Sequence, residues 1–172
     1  MKILDLGCGI NKVEGAVGID ANRRSGADII HDLNKFPYPA GDNTFDKIYC
    51  TDALEHLDDL IRVMEEIHRI SKPGAEIVIR VPHFSSTHAY GDPTHRHFFN
   101  TQSFDYFTGA FSQYGAFTDC KFEKIRAKLN FWKLHRIDGI SFLANRFPLL
   151  YEKLFAFIFP AMNIEFVLRV VK

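Results

Sequence analysis

Within its first twenty residues the chain joins a buried-type strand, a glycine turn and a second strand tipped by an acid. Ile3-Leu4-Asp5-Leu6 runs into Gly7-Cys8-Gly9, and Val17-Gly18-Ile19 ends on Asp20. That order predicts an open α/β sheet with a ligand pocket at the carboxyl end of its first strand. Gly7 and Gly9 carry no side chain to hold a ligand off the backbone, and an acid ending the next strand can accept hydrogen bonds from both ribose hydroxyls. The departures from the dinucleotide pattern narrow the ligand. Lys12 stands where a third glycine belongs, and only Ile10 to Gly15 separate the turn from the second strand, too few for a full crossover helix. A pyrophosphate needs the amides and dipole of that helix, so the pocket suits a nucleoside cofactor with no phosphate.

S-adenosylmethionine has this chemistry: an adenosine, a sulfonium and an amino-acid tail. The chain here resembles the class I S-adenosylmethionine-dependent methyltransferases, and within them the small-molecule branch called type 11. Their first motif falls on Asp5, Gly7 and Gly9, with Asn11 replacing the last glycine; Asn tolerates positive φ better than other non-glycine residues. His31-Asp32-Leu33, the strand around Phe45-Asp46, the segment Leu54-Glu55-His56-Leu57 and Lys72-Pro73-Gly74 before Glu76–Val81 continue the family pattern in order. The resemblance is firm over 2–82, looser over 92–125, and returns at 164–171. It implies a Rossmann-like sheet, mostly parallel with the last strand antiparallel and helices on both faces. It also implies a shortened first helix and a Phe-rich helical insertion before the last strand. The whole forms a single domain over 1–172, with a cofactor half to residue 82 and a substrate half beyond. By the same resemblance S-adenosylmethionine is held by Asp5, Gly7, Cys8, Gly9, Asn11, Asp20, Ala21, Asp32, Leu33, Asp52 and Ala53.

Composition agrees with one globular domain: 172 residues, 47% apolar and 24% charged. A formal net charge of zero gives no electrostatic case for wrapping nucleic acid. Three cysteines, odd in number and without a Cys-x-x-Cys pair, read as reduced thiols of a cytoplasmic protein. The chain opens directly on a strand, so no signal peptide is expected. No run reaches the roughly 18 apolar residues of a membrane span, so stable membrane insertion is not expected.

Short apolar runs predict parallel strands near 2–6, 16–20, 27–30, 46–50 and 75–81. Leu60, Val63, Met64, Ile67 and Ile70 form one helical stripe, with Asp58 as the expected cap and Pro73-Gly74 as the stop. A second helix is expected from Thr101, presenting Phe104, Phe107 and Phe111. Late strands are expected over Phe117–Leu129 and Ile164–Val171.

Four histidines, His83, His88, His95 and His97, fall within fifteen residues of the fifth strand's end. The carboxyl ends of such strands face the ligand crevice. Methyl transfer to a hydroxyl benefits from a base, and imidazole has the nearest pKa, so His83 is the expected catalytic base and His56 the runner-up. His88, His95, Arg96 and His97 are the expected substrate contacts, Arg96 suiting an anionic group. The spacing matches no strong metal motif, and Gly91-Asp92-Pro93 marks a loop, so no metal is expected.

Phe142 to Met162 is apolar on nearly every helical face and needs burial on more than one side. A cap over the cofactor is the expected role, with a homodimer face and a membrane-surface helix as the competing ones. The function expected is methyl transfer to an oxygen or nitrogen of a polar small molecule, a sugar or another metabolite. The alternative is a non-catalytic S-adenosylmethionine-binding subunit of a larger assembly.

Overall fold

The computed structural model describes residues 1–109, 118–133 and 139–172. Its frame is one sheet of seven strands: β1 (Ile3–Leu6), β2 (Val17–Asp20), β3 (Ile29–Ile30), β4 (Phe45–Thr51), β5 (Ser71–Pro82), β6 (Lys121–Asn130) and β7 (Asn163–Val171). They lie in the order β3-β2-β1-β4-β5-β7-β6. β7 alone runs against the rest, pairing antiparallel with both β5 and β6. The strand order reverses between β1 and β4, so the crevice opens beyond the carboxyl ends of those two strands.

The alternation along the strands sorts the two faces. Leu4, Leu6, Ile48, Cys50, Ile77, Ile79, Phe166 and Leu168 are buried together on one of them. Helix α1 (Leu60–Ile70) covers this face through Val63, Met64, Ile67 and Ile70. Phe99 and Phe104 stack there, and Phe104 meets Phe166 edge-on at 4.7 Å. Across the opposite face the register aligns Lys47 with Glu76 and Glu76 with Arg169, which in turn faces Glu123. Lys47–Glu76 (2.6 Å), Arg169–Glu123 (3.1 Å) and Arg126–Glu165 pair along this ladder. Alternate positions supply charge to water on one side and apolar surface to the core on the other, as the pleat requires.

The sheet is mostly parallel and flanked by helices, as expected, but several local expectations are corrected. The shortened first helix is reduced to turns: Ala16 N bonds Val13 O and the chain enters β2 at once. Asn11 is not among the positive-φ residues; Gly7, Gly9 and Gly15 supply that conformation. Asp59, not Asp58, caps α1, accepting from Arg62 N at 3.1 Å. α1 stops at Ser71, ahead of Pro73-Gly74, because Ser71 turns extended and starts β5, its hydroxyl bonding Ile67 O at 2.6 Å. The helix expected from Thr101 is a short 3-10 turn, Asp105–Thr108, that buries Phe107; Phe111 and Phe117 lie outside the described residues.

The Phe-rich segment folds as α3 (Ile140–Arg146) and α4 (Pro148–Leu154), after the five-residue α2 (Thr87–Gly91). Neither α3 nor α4 contributes a residue to the cleft beyond β1 and β4 that the glycine turn borders. Asn145 bonds both N and O of Leu129, fixing α3 along the free edge of β6. Tyr151 and Ala144 turn inward, but Phe142, Leu143, Phe147, Leu150, Leu154 and Phe157 remain more than half exposed.

Candidate active site

A cleft of 570 Å³ opens beyond β1 and β4, bordered by Asp5, Gly7, Cys8, Gly9, Ile10, Asn11, Val13, Thr51, Asp52 and Arg80. Its floor is the glycine turn. A Cβ on Gly7 would meet that of Ala53 at 2.5 Å, and Gly7 has φ +68°, so only glycine fits this approach of β1 to the end of β4. Asp5 is buried, accepts from Val13 N at 2.8 Å, and has its pKa raised chiefly by burial. Asp20 accepts from Gly9 N at 2.8 Å and Asn22 N at 2.7 Å, so the carboxylate that ends β2 holds the turn in place. Asp28 does the same further out, accepting from Gly18 N at 2.7 Å and pairing with Lys12.

A second cleft, of 690 Å³, adjoins the first and includes Glu55, His56, Pro82, Thr87, His88, Asp92, His95, Met162 and Asn163 in its lining. Asp52 and Arg80 border both clefts. Their side chains form an ion pair at 2.5 Å, and Asp52 sits in the left-handed region at φ +50°. The backbone bond from Asp52 N to Arg80 O, 2.8 Å, continues the β4–β5 ladder past Thr51 and holds the residue in that conformation.

The structure divides the expected site residues. Asp5, Gly7, Cys8, Gly9, Asn11 and Asp52 border the cofactor cleft. Asp20, Ala53 and Leu33 stand one step behind it, Ala53 and Leu33 against Gly7. Asp32 accepts from Asn34 N in its own turn, and Ala21 is exposed. His88 and His95 border the second cleft. Arg96 is exposed and paired with Asp58 at 3.0 Å, while His97 Nε2 bonds Leu57 O at 2.8 Å; neither lines a cleft.

His83, the expected base, is fully buried and lines neither cleft. Beyond Pro82 the chain stays extended, with His83 bridged to Phe99, and its ring points among Phe84, Tyr151 and Ser85. Its Nδ1 lies 2.7 Å from Ser85 Oγ, and Nε2 lies 3.5 Å from Glu152 Oε1, too long for a good hydrogen bond. Burial acts to raise the Glu152 pKa, but the neighbouring His83 and bonds from Thr101 outweigh it and leave it below the ordinary value. Glu152 thus ties α4 to Thr101 through two hydrogen bonds, with the buried His83 ring packed beside it.

His56 does reach the second cleft. Its pKa is lowered by burial first and then by His95, whose ring meets it edge-on at 4.6 Å. Glu55, beside it in the 3-10 turn Leu54–His56, is buried, and burial pushes its pKa up to about 7. Its Oε2 has no hydrogen-bond partner among the described residues. Glu55, Thr51 and Arg80 escape a reading of the sequence. Arg80 faces Thr51 across the ladder, a pairing visible only once the β4–β5 register is known.

A sheet in this order, with a glycine turn at its switch point, is a Rossmann-like fold of the kind that seats a nucleoside cofactor at that point. Residues 1–120 match the family model described as a methyltransferase domain, and the chain belongs to that family. Over 97 residues it is 32% identical to cycloartenol-C-24-methyltransferase 1 of Oryza sativa subsp. japonica, covering 43% of this chain and 28% of that protein. The chain therefore spans under a third of the length of that relative. Among solved structures, a SAM-dependent methyltransferase from Archaeoglobus fulgidus superposes with a TM-score of 0.59 at 20% identity, over 98% of this chain and 85% of that one. An S-adenosylmethionine-dependent methyltransferase from Mesorhizobium loti gives 0.61 at 16% identity, over 98% and 90%. S-adenosylmethionine is the cofactor, and the first cleft fits it: bare backbone at Gly7 and Gly9, no phosphate-binding helix, and acids on either side of the turn.

Proposed function

We propose that the chain catalyses methyl transfer to an oxygen or nitrogen of a polar small molecule seated in the second cleft. The observation that carries this reading is the sharing of Asp52 and Arg80 between the two clefts, which puts the acceptor pocket directly beside the cofactor pocket. Bound S-adenosylmethionine supplies an electrophilic methyl group on sulfur. Gly7, Gly9, Asp20 and Asp5 hold the cofactor side. Asp52 and Arg80 neutralise each other in the dividing wall, so the wall presents no net charge to a sulfonium. The acceptor side is lined by histidines and acids, and methyl transfer gains most from holding the nucleophile close and in line. His56 takes the place expected of His83, because its ring borders the acceptor cleft and His83 does not.

A second reading, transfer to carbon of a sterol-like acceptor, draws on the cycloartenol-methylating relative and on an apolar groove. That groove, 270 Å³ between Ile140, Leu143, Phe147, Leu150, Phe155 and neighbours, shares no residue with either cleft. The polar acceptor is therefore favoured. The exposed apolar helices also fit the alternative of a cofactor-binding subunit within a larger assembly.

Crystals grown with S-adenosylhomocysteine test the reading. The thioether sulfur is expected beside the Asp52–Arg80 wall, with its open side toward His56. A sulfur facing solvent or the α3–α4 groove instead would overturn it.

A further inference from the structure

We propose that Glu55, His56 and His95 form a binding site for one divalent transition-metal ion in the acceptor cleft. One ligand atom from each of the three lies within 4.8 Å of the others. They come from separate places in the chain: Glu55 and His56 from the turn after β4, His95 from the loop after α2.

The hydrogen bonds around the two imidazoles fix where their protons lie. Thr94 Oγ1 gives its only proton to Asp92 Oδ1 at 2.6 Å, so at 2.8 Å from His56 Nδ1 it can only accept. His56 Nδ1 therefore carries a proton. The Ala89 carbonyl, 3.1 Å from His95 Nδ1, also only accepts, so His95 Nδ1 carries one too. In the neutral rings both Nε2 atoms are left with lone pairs. The third group is Glu55, whose buried Oε2 has no hydrogen-bond partner among the described residues. The three residues thus bring two imidazoles, each with its Nε2 lone pair free, and a carboxylate within reach of one another, a set of ligand atoms that one cation can share.

The surroundings match what metal-binding histidines require. Each ring donates its second nitrogen's proton to a backbone carbonyl or to a hydroxyl backed by a carboxylate, which fixes the tautomer and strengthens the free nitrogen as a ligand. Two imidazoles and one carboxylate are a donor set used for zinc with one coordination position open. The sequence pointed away from a metal because His88 to His97 is a loop without ligand spacing. It is the approach of that loop to Glu55, through Arg96 N bonding Glu55 O at 2.7 Å, that assembles the set.

All three ligands line the cleft that Asp52 and Arg80 also border. Resting on the acceptor reading above, the ion there binds a hydroxyl oxygen of the acceptor, orients it and lowers its pKa, which an imidazole acting alone does less strongly.

Zinc calorimetry on the chelator-stripped full chain is the test, with cobalt as a spectroscopic probe. One zinc per chain is expected, with the visible absorption of four-coordinate cobalt. Glu55→Gln, His56→Ala and His95→Ala should each weaken zinc by about tenfold or more. His97→Ala, outside the cleft, should not. Each variant's thermal unfolding and S-adenosylhomocysteine affinity show whether it is folded. A folded wild-type chain that takes up no zinc at 100-fold molar excess (a chosen test concentration), or zinc binding unchanged in all three folded variants, overturns the proposal. If the stripped chain binds S-adenosylhomocysteine but not zinc, the metal fails and the methyltransferase reading stands. If it binds zinc through these residues but not S-adenosylhomocysteine, the reverse holds.

Discussion

The loops of the cofactor half and the α3–α4 pair answer the same need, covering a sheet, by opposite means. Between β1 and β3 no helix remains among the described residues, and carboxylates bonded to backbone amides do the fixing: Asp5 to Val13, Asp20 to Gly9 and Asn22, Asp28 to Gly18. Each such bond satisfies a donor that a crossover helix would otherwise have paired. The α3–α4 pair is helical and apolar, yet turns much of its apolar surface outward. The first region is complete by itself; the second has more apolar surface than the described residues cover. The fold can therefore lose crossover helices if short acids replace them, whereas apolar helices need a covering partner or stay wet.

If that contrast holds, the glycine turn is the least forgiving position. Gly7→Ala places a Cβ against Ala53 in a left-handed conformation and should cost roughly 2–5 kcal/mol of stability, combining overpacking with backbone strain. Urea unfolding measures it; a loss below ~1 kcal/mol would show that β1 and the end of β4 part easily. Next, Asp20→Ala should lose roughly 1.5–3 kcal/mol of S-adenosylhomocysteine affinity, the usual value of a hydrogen bond to a charged group. Unchanged affinity by calorimetry would remove Asp20 from the cofactor site.

The anchor of α4 is expected to matter less and to depend on acid. Glu152→Gln should destabilise by about 1.5 kcal/mol near neutrality, since the carboxylate accepts from Thr101 N at 2.7 Å and Thr101 Oγ1 at 3.0 Å. Because its folded pKa lies below the ordinary 4.5, the stabilisation is complete above that value and is lost as pH falls through the folded pKa. The gap between wild type and variant in thermal unfolding should therefore close in acid; a gap that widens there would show that Glu152 is not held ionised. Smallest of all, Phe142→Ser at a 73% exposed position should change stability by less than about 0.5 kcal/mol. It should also lower binding of a hydrophobic dye. A larger loss of stability would mean that Phe142 is already covered in solution, as a dimer face requires.

The strands were legible because each is a short apolar run, and the glycine turn because its ligand-facing backbone must be bare. Helix ends were less so: Asp58 and Asp59 are equally good caps on paper, and only the entry angle of the chain selects Asp59. His83 misled because strand ends face the crevice on average, while the extended chain through Pro82 and His83 turns that ring to the core. The Glu55–His56–His95 group was illegible since His95 lies about forty residues beyond the other two and meets them through a loop with no pattern of its own. The Phe-rich segment was correctly read as helical and apolar, but composition carries no information about which face remains uncovered.

Cys8, Cys50 and Cys120 are all buried, and burial raises the pKa of each. They sit in the glycine turn, in the central strand β4 and just before β6. Cys50 and Cys120 are so placed that they stay inert to alkylating reagents until the protein opens, whereas Cys8 borders the cofactor cleft. The order in which they become labelled is thus a built-in clock for partial unfolding, reporting on the ligand turn, the centre and the far edge of the sheet without any engineered probe.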